Sequence, residues 1–192
     1  LQMASSDAEN TSLRVLNALA CVLQLTVEQN EKMGPASNPS RAAIFAGEDV
    51  PDMGVAEYCR RLDTYFNTTP SLYPVILDYI SRTVKNNEKG LSISRFTVHR
   101  LLITSFTLMA KYHEDLHCKN SFYAEVGGVD LQELNQLEKE MLRIINFNLH
   151  TTPELYTYYI ESLNKHAAGC SRCAASPSTP EQQVRALDSS DP

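Results

Sequence analysis

FTVHRLLITSFTLMAK, residues 96–111, leaves almost no polar face in its second half. Phe96, Val98, Leu101, Leu102, Ile103, Phe106, Leu108, Met109 and Ala110 crowd the stretch. A helix that is apolar all round has to be enclosed by others. The stretch therefore predicts the central helix of an all-α bundle, with Ser94 as its cap and Lys111 complementing the dipole at its C-terminal end.

Working outward, amphipathic helices flank it on both sides. Leu13, Leu16, Ala20, Leu23 and Val27 recur at three- and four-residue steps, which predicts a helix over 11–32. Gly34, Pro35, Asn38, Pro39 and Gly47 mark 33–49 as a linker. Pro51 suits the first turn of a second helix, with Val55, Tyr58, Leu62, Tyr65 and Phe66 as its buried stripe. Thr69–Pro70 opens a third, carried by Tyr73, Ile76, Leu77, Ile80 and Val84 toward Gly90. A short helix over 121–126 ends at the Gly127–Gly128 break. Asp130 and Glu133 form a capping-box-like start for Leu134, Leu137, Met141, Leu142 and Ile145, and Thr152–Pro153 starts a last helix that ends near His166. Beyond Cys170 the chain turns to Ser, Pro, Ala, Gln and Asp, too few apolar groups to offset the entropy of ordering. The expected organisation is a flexible N-terminus at 1–10, the helix and linker at 11–50, the main helical unit at 51–166 and a disordered tail at 167–192.

Bulk numbers narrow the function. The 192 residues, 43% of them hydrophobic, suffice for one domain with its own core. A net charge of -6 argues against nucleic acid as the main partner. The five cysteines are irregularly placed, and no apolar run approaches the roughly 18 residues of a membrane helix. A reducing compartment, cytoplasmic and/or nuclear, and no membrane association are the expectation.

Two patterns invite metal chemistry. His113, Glu114 and His117 satisfy HExxH, in which one helical face offers two imidazoles and the Glu polarises a metal-bound water. That would make the chain a zinc-dependent hydrolase, with Glu138 or Glu140 as a further ligand. The residues fall where the apolar pattern runs out, so capping of a helix end is the preferred reading. Cys170 and Cys173 with His166 form a lone CxxC beside a histidine, read here as solvated tail thiols. No metal, cofactor or catalytic residue is expected.

Two stretches resemble the cyclin family, and within it the plant P/U-type and fungal phosphate-pathway cyclins: FTVHRLLITSFTLMAKYHEDLHCKNSFYAEVGG, residues 96–128, and LEKEMLRIINFNLHTTPELYTYYI, residues 137–160. With PDMGVAEYCRRLDTYF from Pro51 and the helix before it, the resemblance spans about residues 11–165. It implies a single cyclin box, a bundle of about five helices with flanking N- and C-terminal helices, and no second helical repeat. It also implies a regulatory subunit of a cyclin-dependent protein kinase, in cell-cycle or phosphate signalling. Lys111 and Glu138 match the family's lysine and glutamate that grip the kinase's regulatory helix, and Tyr112, Leu142, Phe147 and Leu149 match positions that pack against the kinase. Where the family carries Asp-Arg, this chain has Ser81–Arg82, and Asp78 one turn earlier is the candidate to engage Arg61 instead. Ser176–Pro177 and Thr179–Pro180 are candidate phosphosites for such a kinase. A helical adaptor for a non-kinase partner is the remaining alternative.

Overall fold

A computed structural model describes residues 2–33, 44–87, 90–115 and 118–174, with side chains from Thr11 onward. The helices are α1 (Gln2–Lys32), α2 (Val55–Phe66), α3 (Tyr73–Asn86), α4 (Val98–His113), α5 (Asn120–Gly127), α6 (Leu131–Ile144), α7 (Pro153–Gly169) and α8 (Ser171–Ala174), with a 3-10 turn at Pro70–Leu72 before α3. No strand occurs among the described residues.

All residues of α4 from Leu101 to Ala110 are buried. The helices α2, α3, α5 and α6 pack around it, and α1 and α7 lie outside, against α2 and α3 respectively and against each other. The buried hydroxyls inside α4 are differently placed: Thr104 turns back on its own helix, Ser105 reaches across to α6, and Thr107 Oγ1 has no hydrogen-bond partner among the described residues. The Thr104 hydroxyl donates to the Arg100 carbonyl at 2.6 Å, and Ser105 donates to the Met141 sulfur at 3.6 Å. Bonding back to the preceding turn satisfies a hydroxyl without a neighbouring helix, so α4 stays enclosed.

Helix starts differ from the sequence reading in instructive ways. Backbone helix begins at Gln2, so residues assigned to a flexible N-terminus belong to α1. Pro51 lies before α2, which begins at Val55; the Met53 carbonyl accepts from His99 Nε2 at 2.8 Å, a tether that keeps this segment out of the helix. Tyr65 faces solvent rather than the core. Ser94 does not cap α4. The helix begins at Val98, and Ser94 and Thr97 close a turn before it, with Ser94 N–H donating to Thr97 Oγ1 at 2.9 Å and the Thr97 hydroxyl to the Ser92 carbonyl at 2.7 Å. Asp130 does cap α6 through Gln132 N–H at 2.7 Å, but Glu133 turns to Arg100 at 2.6 Å instead of completing a capping box. Most of the expected linker, 34–43, lies outside the described residues.

The largest correction is at the C-terminal end. α7 continues to Gly169, and α8 packs against α1, with Cys173 buried and Arg172 reaching Glu28 at 3.2 Å. Residues 167–174 are therefore built into the bundle, and only 175–192 of the expected tail lie outside the described residues, Ser176 and Thr179 among them.

The two glycines ending α5 have separate causes. Gly128 adopts φ +66° and donates to the Glu125 carbonyl at 3.2 Å, a left-handed helix end that favours glycine. Gly127 sits against α4, where an added Cβ would lie 2.6 Å from Ile103 Cγ1. Gly127→Ala is expected to destabilise the fold by about 1–3 kcal/mol in urea unfolding. A double-mutant cycle with Ile103→Ala should return a favourable coupling, because removing the clashing atoms restores the space.

Candidate functional site

Lys111 ends the apolar run of α4 and Glu138 lies in the middle of α6, two helices that the core packs side by side. Their side chains meet, Nζ to Oε1, at 2.5 Å. The other carboxylate oxygen of Glu138 accepts from Asn120 Nδ2 at 2.7 Å, and Asn120 also reaches Asn135 Oδ1 at 2.7 Å. Lys111 is 32% exposed and Glu138 14%, so the pair sits at the rim of the bundle with its charges held but reachable. An ion pair with extra hydrogen bonds in a partly dehydrated seam is held in a narrower set of geometries than a surface pair.

Tyr112 follows Lys111 and is 53% exposed. The next residue, His113, ties this end of α4 to the α6–α7 connection through Tyr79. The Tyr79 hydroxyl donates to the Leu149 carbonyl at 2.8 Å, so its oxygen accepts from His113 Nε2 at 3.3 Å, and the imidazole carries its proton there. Burial holds His113 below its ordinary value and pushes the Tyr79 phenol above its own.

The α6–α7 connection is itself pinned. Asp78, completely buried on α3, takes Arg82 Nη2 and the Thr151 hydroxyl on the same oxygen, each at 2.7 Å, while Arg82 Nη1 donates to the Asn148 carbonyl at 2.6 Å. Within the connection Asn146 and Phe147 adopt φ of 55° and 54°. Phe147 N–H closes the end of α6 on the Leu142 carbonyl at 2.7 Å, and its ring stands 70% exposed. Leu142 and Leu149 are half-buried. The six residues singled out from the sequence thus occur at the end of α4, along α6 and in the α6–α7 connection. They offer two charges, two exposed aromatic rings and two half-buried aliphatic groups.

Other sequence readings fare differently. The helix that HExxH requires is absent, because α4 stops at His113. The Glu114 carboxylate accepts from Thr69 N–H at 3.0 Å and from the Thr69 hydroxyl at 3.3 Å, and Glu140 pairs with Arg143 at 2.8 Å. His117 lies outside the described residues. Asp78 does not replace the family aspartate against Arg61: it is committed to Arg82, and Arg61 donates from Nε to the Val126 carbonyl at 2.8 Å. Cys170 and Cys173 are not solvated tail thiols, since both pack toward α1. Sequence reasoning missed Asn120, Tyr79 and Thr151, whose partners lie 15 to 73 residues away and leave no periodic trace. A cleft of 770 Å³ lined by Tyr58, Arg61, His99, Arg100 and Glu133 includes none of the six residues.

The family model described as Cyclin matches residues 3–149. The chain is 34% identical to Cyclin-U2-1 of Arabidopsis thaliana, over 84% of this chain and 73% of that protein. It is 33% identical to Cyclin-U4-1 of Arabidopsis thaliana, over 83% and 80%. To Cyclin-P3-1 of Oryza sativa subsp. japonica it is 32% identical, over 86% and 70%.

Asp78→Ala leaves the partly buried Arg82 without its counter-charge and Thr151 without its acceptor, and is expected to destabilise the protein by about 2–4 kcal/mol in chemical denaturation, whereas Ser81→Ala changes little. A pH dependence follows from His113. Its folded value lies below the unfolded one of about 6.5, so the unfolded chain binds the proton first and stability is lost as pH falls through that value. Unfolding free energy should decline from about pH 7.5 to about pH 5.5, and less steeply in His113→Gln.

Proposed function

The chain belongs to the cyclin family, and from that premise we propose that it is the regulatory subunit of a heterodimer with a cyclin-dependent protein kinase, which it binds and activates through the surface around Lys111 and Glu138. The observation that carries the reading is the ion pair. Lys111 and Glu138 match two family positions in separate stretches of sequence, and they stand joined at the rim of α4 and α6.

The pair is equipped for a helix terminus or an exposed turn of backbone. An ammonium has three donors, and one is spent on Glu138, leaving others for carbonyls of a partner. Glu138 keeps lone pairs for amides. Tyr112 and Phe147 supply apolar surface that excludes water around these charges, which strengthens them on docking. The bundle would act as a rigid block beside the kinase N-lobe, holding the regulatory helix inward so that a kinase glutamate pairs with its ATP-orienting lysine. The kinase supplies ATP, magnesium and phosphoryl chemistry. The cyclin supplies differential affinity for one of two kinase conformations, a population shift with no reaction of its own. Ser176 and Thr179 are proposed targets of the assembled kinase.

Affinity capture on the full chain identifies the kinase, and titration of variants against it tests the surface. Lys111→Ala and Glu138→Ala are each expected to weaken binding by about 2–5 kcal/mol while circular dichroism stays that of the parent. Parent-like affinity in both variants would overturn the assignment.

A further inference from the structure

Three thiols and one imidazole converge where α1 meets the end of α7 and the start of α8. Cys21 comes from α1, His166 from α7, Cys170 from the residue between α7 and α8, and Cys173 from α8. One donor atom from each lies within 4.8 Å of every other. We propose that Cys21, His166, Cys170 and Cys173 form a structural zinc site that clamps the N-terminal helix to the C-terminal end of the bundle.

The geometry suits tetrahedral thiolate coordination. Two sulfurs each about 2.3 Å from a tetrahedral zinc stand about 3.8 Å apart. Cys21 Sγ and Cys170 Sγ are 3.7 Å apart, across 149 positions of sequence. The remaining spread, up to 4.8 Å, closes with small side-chain rotations, since each donor swings on its own Cα–Cβ bond. His166 lies four residues before Cys170, which closes the end of α7, and Cys170 and Cys173 stand at the CxxC interval, so three of the four donors come from one short stretch of chain.

A second observation is independent of the sulfurs. His166 Nε2 is buried with no hydrogen-bond partner in the protein. An orphaned buried nitrogen is unfavourable, and a metal bond satisfies it. Cys173 Sγ has only the distant Asn17 carbonyl, at 3.9 Å, besides its neighbouring cysteines, while the Cys170 sulfur accepts from the backbone N–H groups of Arg172 and Cys173.

Chemistry selects the ion. Three soft sulfurs and one imidazole suit zinc and reject magnesium or calcium, which take oxygen. Binding displaces three thiol protons to solvent and leaves Zn(Cys)3(His) with one net negative charge. Arg172, which lies between two of the ligands in sequence, is bonded to Glu28, and its charge still favours the Cys21 thiolate. A disulfide would use two of the thiols and leave the third and His166 without a role.

The test uses the full chain purified under reducing conditions without chelator. Elemental analysis is expected to find one zinc per chain, and cobalt(II) exchanged into the same site to give the intense visible bands of tetrahedral thiolate coordination. Cys21→Ser should weaken zinc binding more than about a hundredfold, and Cys118→Ser, an exposed cysteine outside the cluster, should leave it unchanged. A chelator should lower the thermal midpoint of the parent and not of Cys21→Ser. The cobalt spectrum needs no variant, so misfolding of Cys21→Ser leaves the proposal testable. A reduced parent chain that takes up neither zinc nor cobalt, or equal loss of metal in Cys118→Ser, would overturn it.

Discussion

The constraint on which the structure depends is the complete enclosure of α4. Ten consecutive side chains, Leu101 to Ala110, avoid water, and no single neighbouring helix can cover every face of such a segment. Four helices supply the cover, and two of them, α2 and α3, keep a second face for further packing. α1 and α7 form an outer layer against α2 and α3. Where α4 emerges from this shell, at Lys111, the first side chain to leave the core is a cation, and it meets Glu138 at once.

Positioning of the exposed residues is a separate matter from packing the core. Tyr112 follows directly from the rigid helix, whereas Phe147 and Leu149 belong to a connection that has no regular backbone ladder. Asp78 substitutes for one by gathering Arg82 and Thr151 on a single buried oxygen, and Arg82 extends the hold to the Asn148 carbonyl. Tyr79, one residue along α3, adds the Leu149 carbonyl and His113. Two adjacent residues of α3 thus fix the connection and the end of α4 relative to each other. The arginine of Ser81–Arg82 keeps a structural task here although the aspartate beside it in the family pattern is replaced.

Much of this was legible in the sequence because helical periodicity is local information. The apolar content of 96–111, the Asp130 and Thr152 caps and the short helix ending at Gly127–Gly128 all correspond to observed features. Helix starts were read less well wherever a distant group claims the signal residue: His99 holds Met53, and Arg100 takes Glu133. The same cause explains the misread end of the chain. Composition alone cannot show that Cys173 reaches the groove of α1, nor that Cys21 is its neighbour there. The six residues proposed for docking rest on family likeness rather than on any period, because exposed aromatics leave no hydrophobic repeat.

The left-handed backbone at Phe147 sets its proposed docking role against durability. A side chain with a Cβ in that conformation is penalised by about 1–2 kcal/mol, and the ring, 70% exposed, recovers little of it by burial. Glycine would relax the turn while deleting the ring. Selection for heat resistance alone would drift toward glycine at this position, and consensus-style stabilisation of the isolated chain would erase an exposed ring on which the proposed docking surface relies.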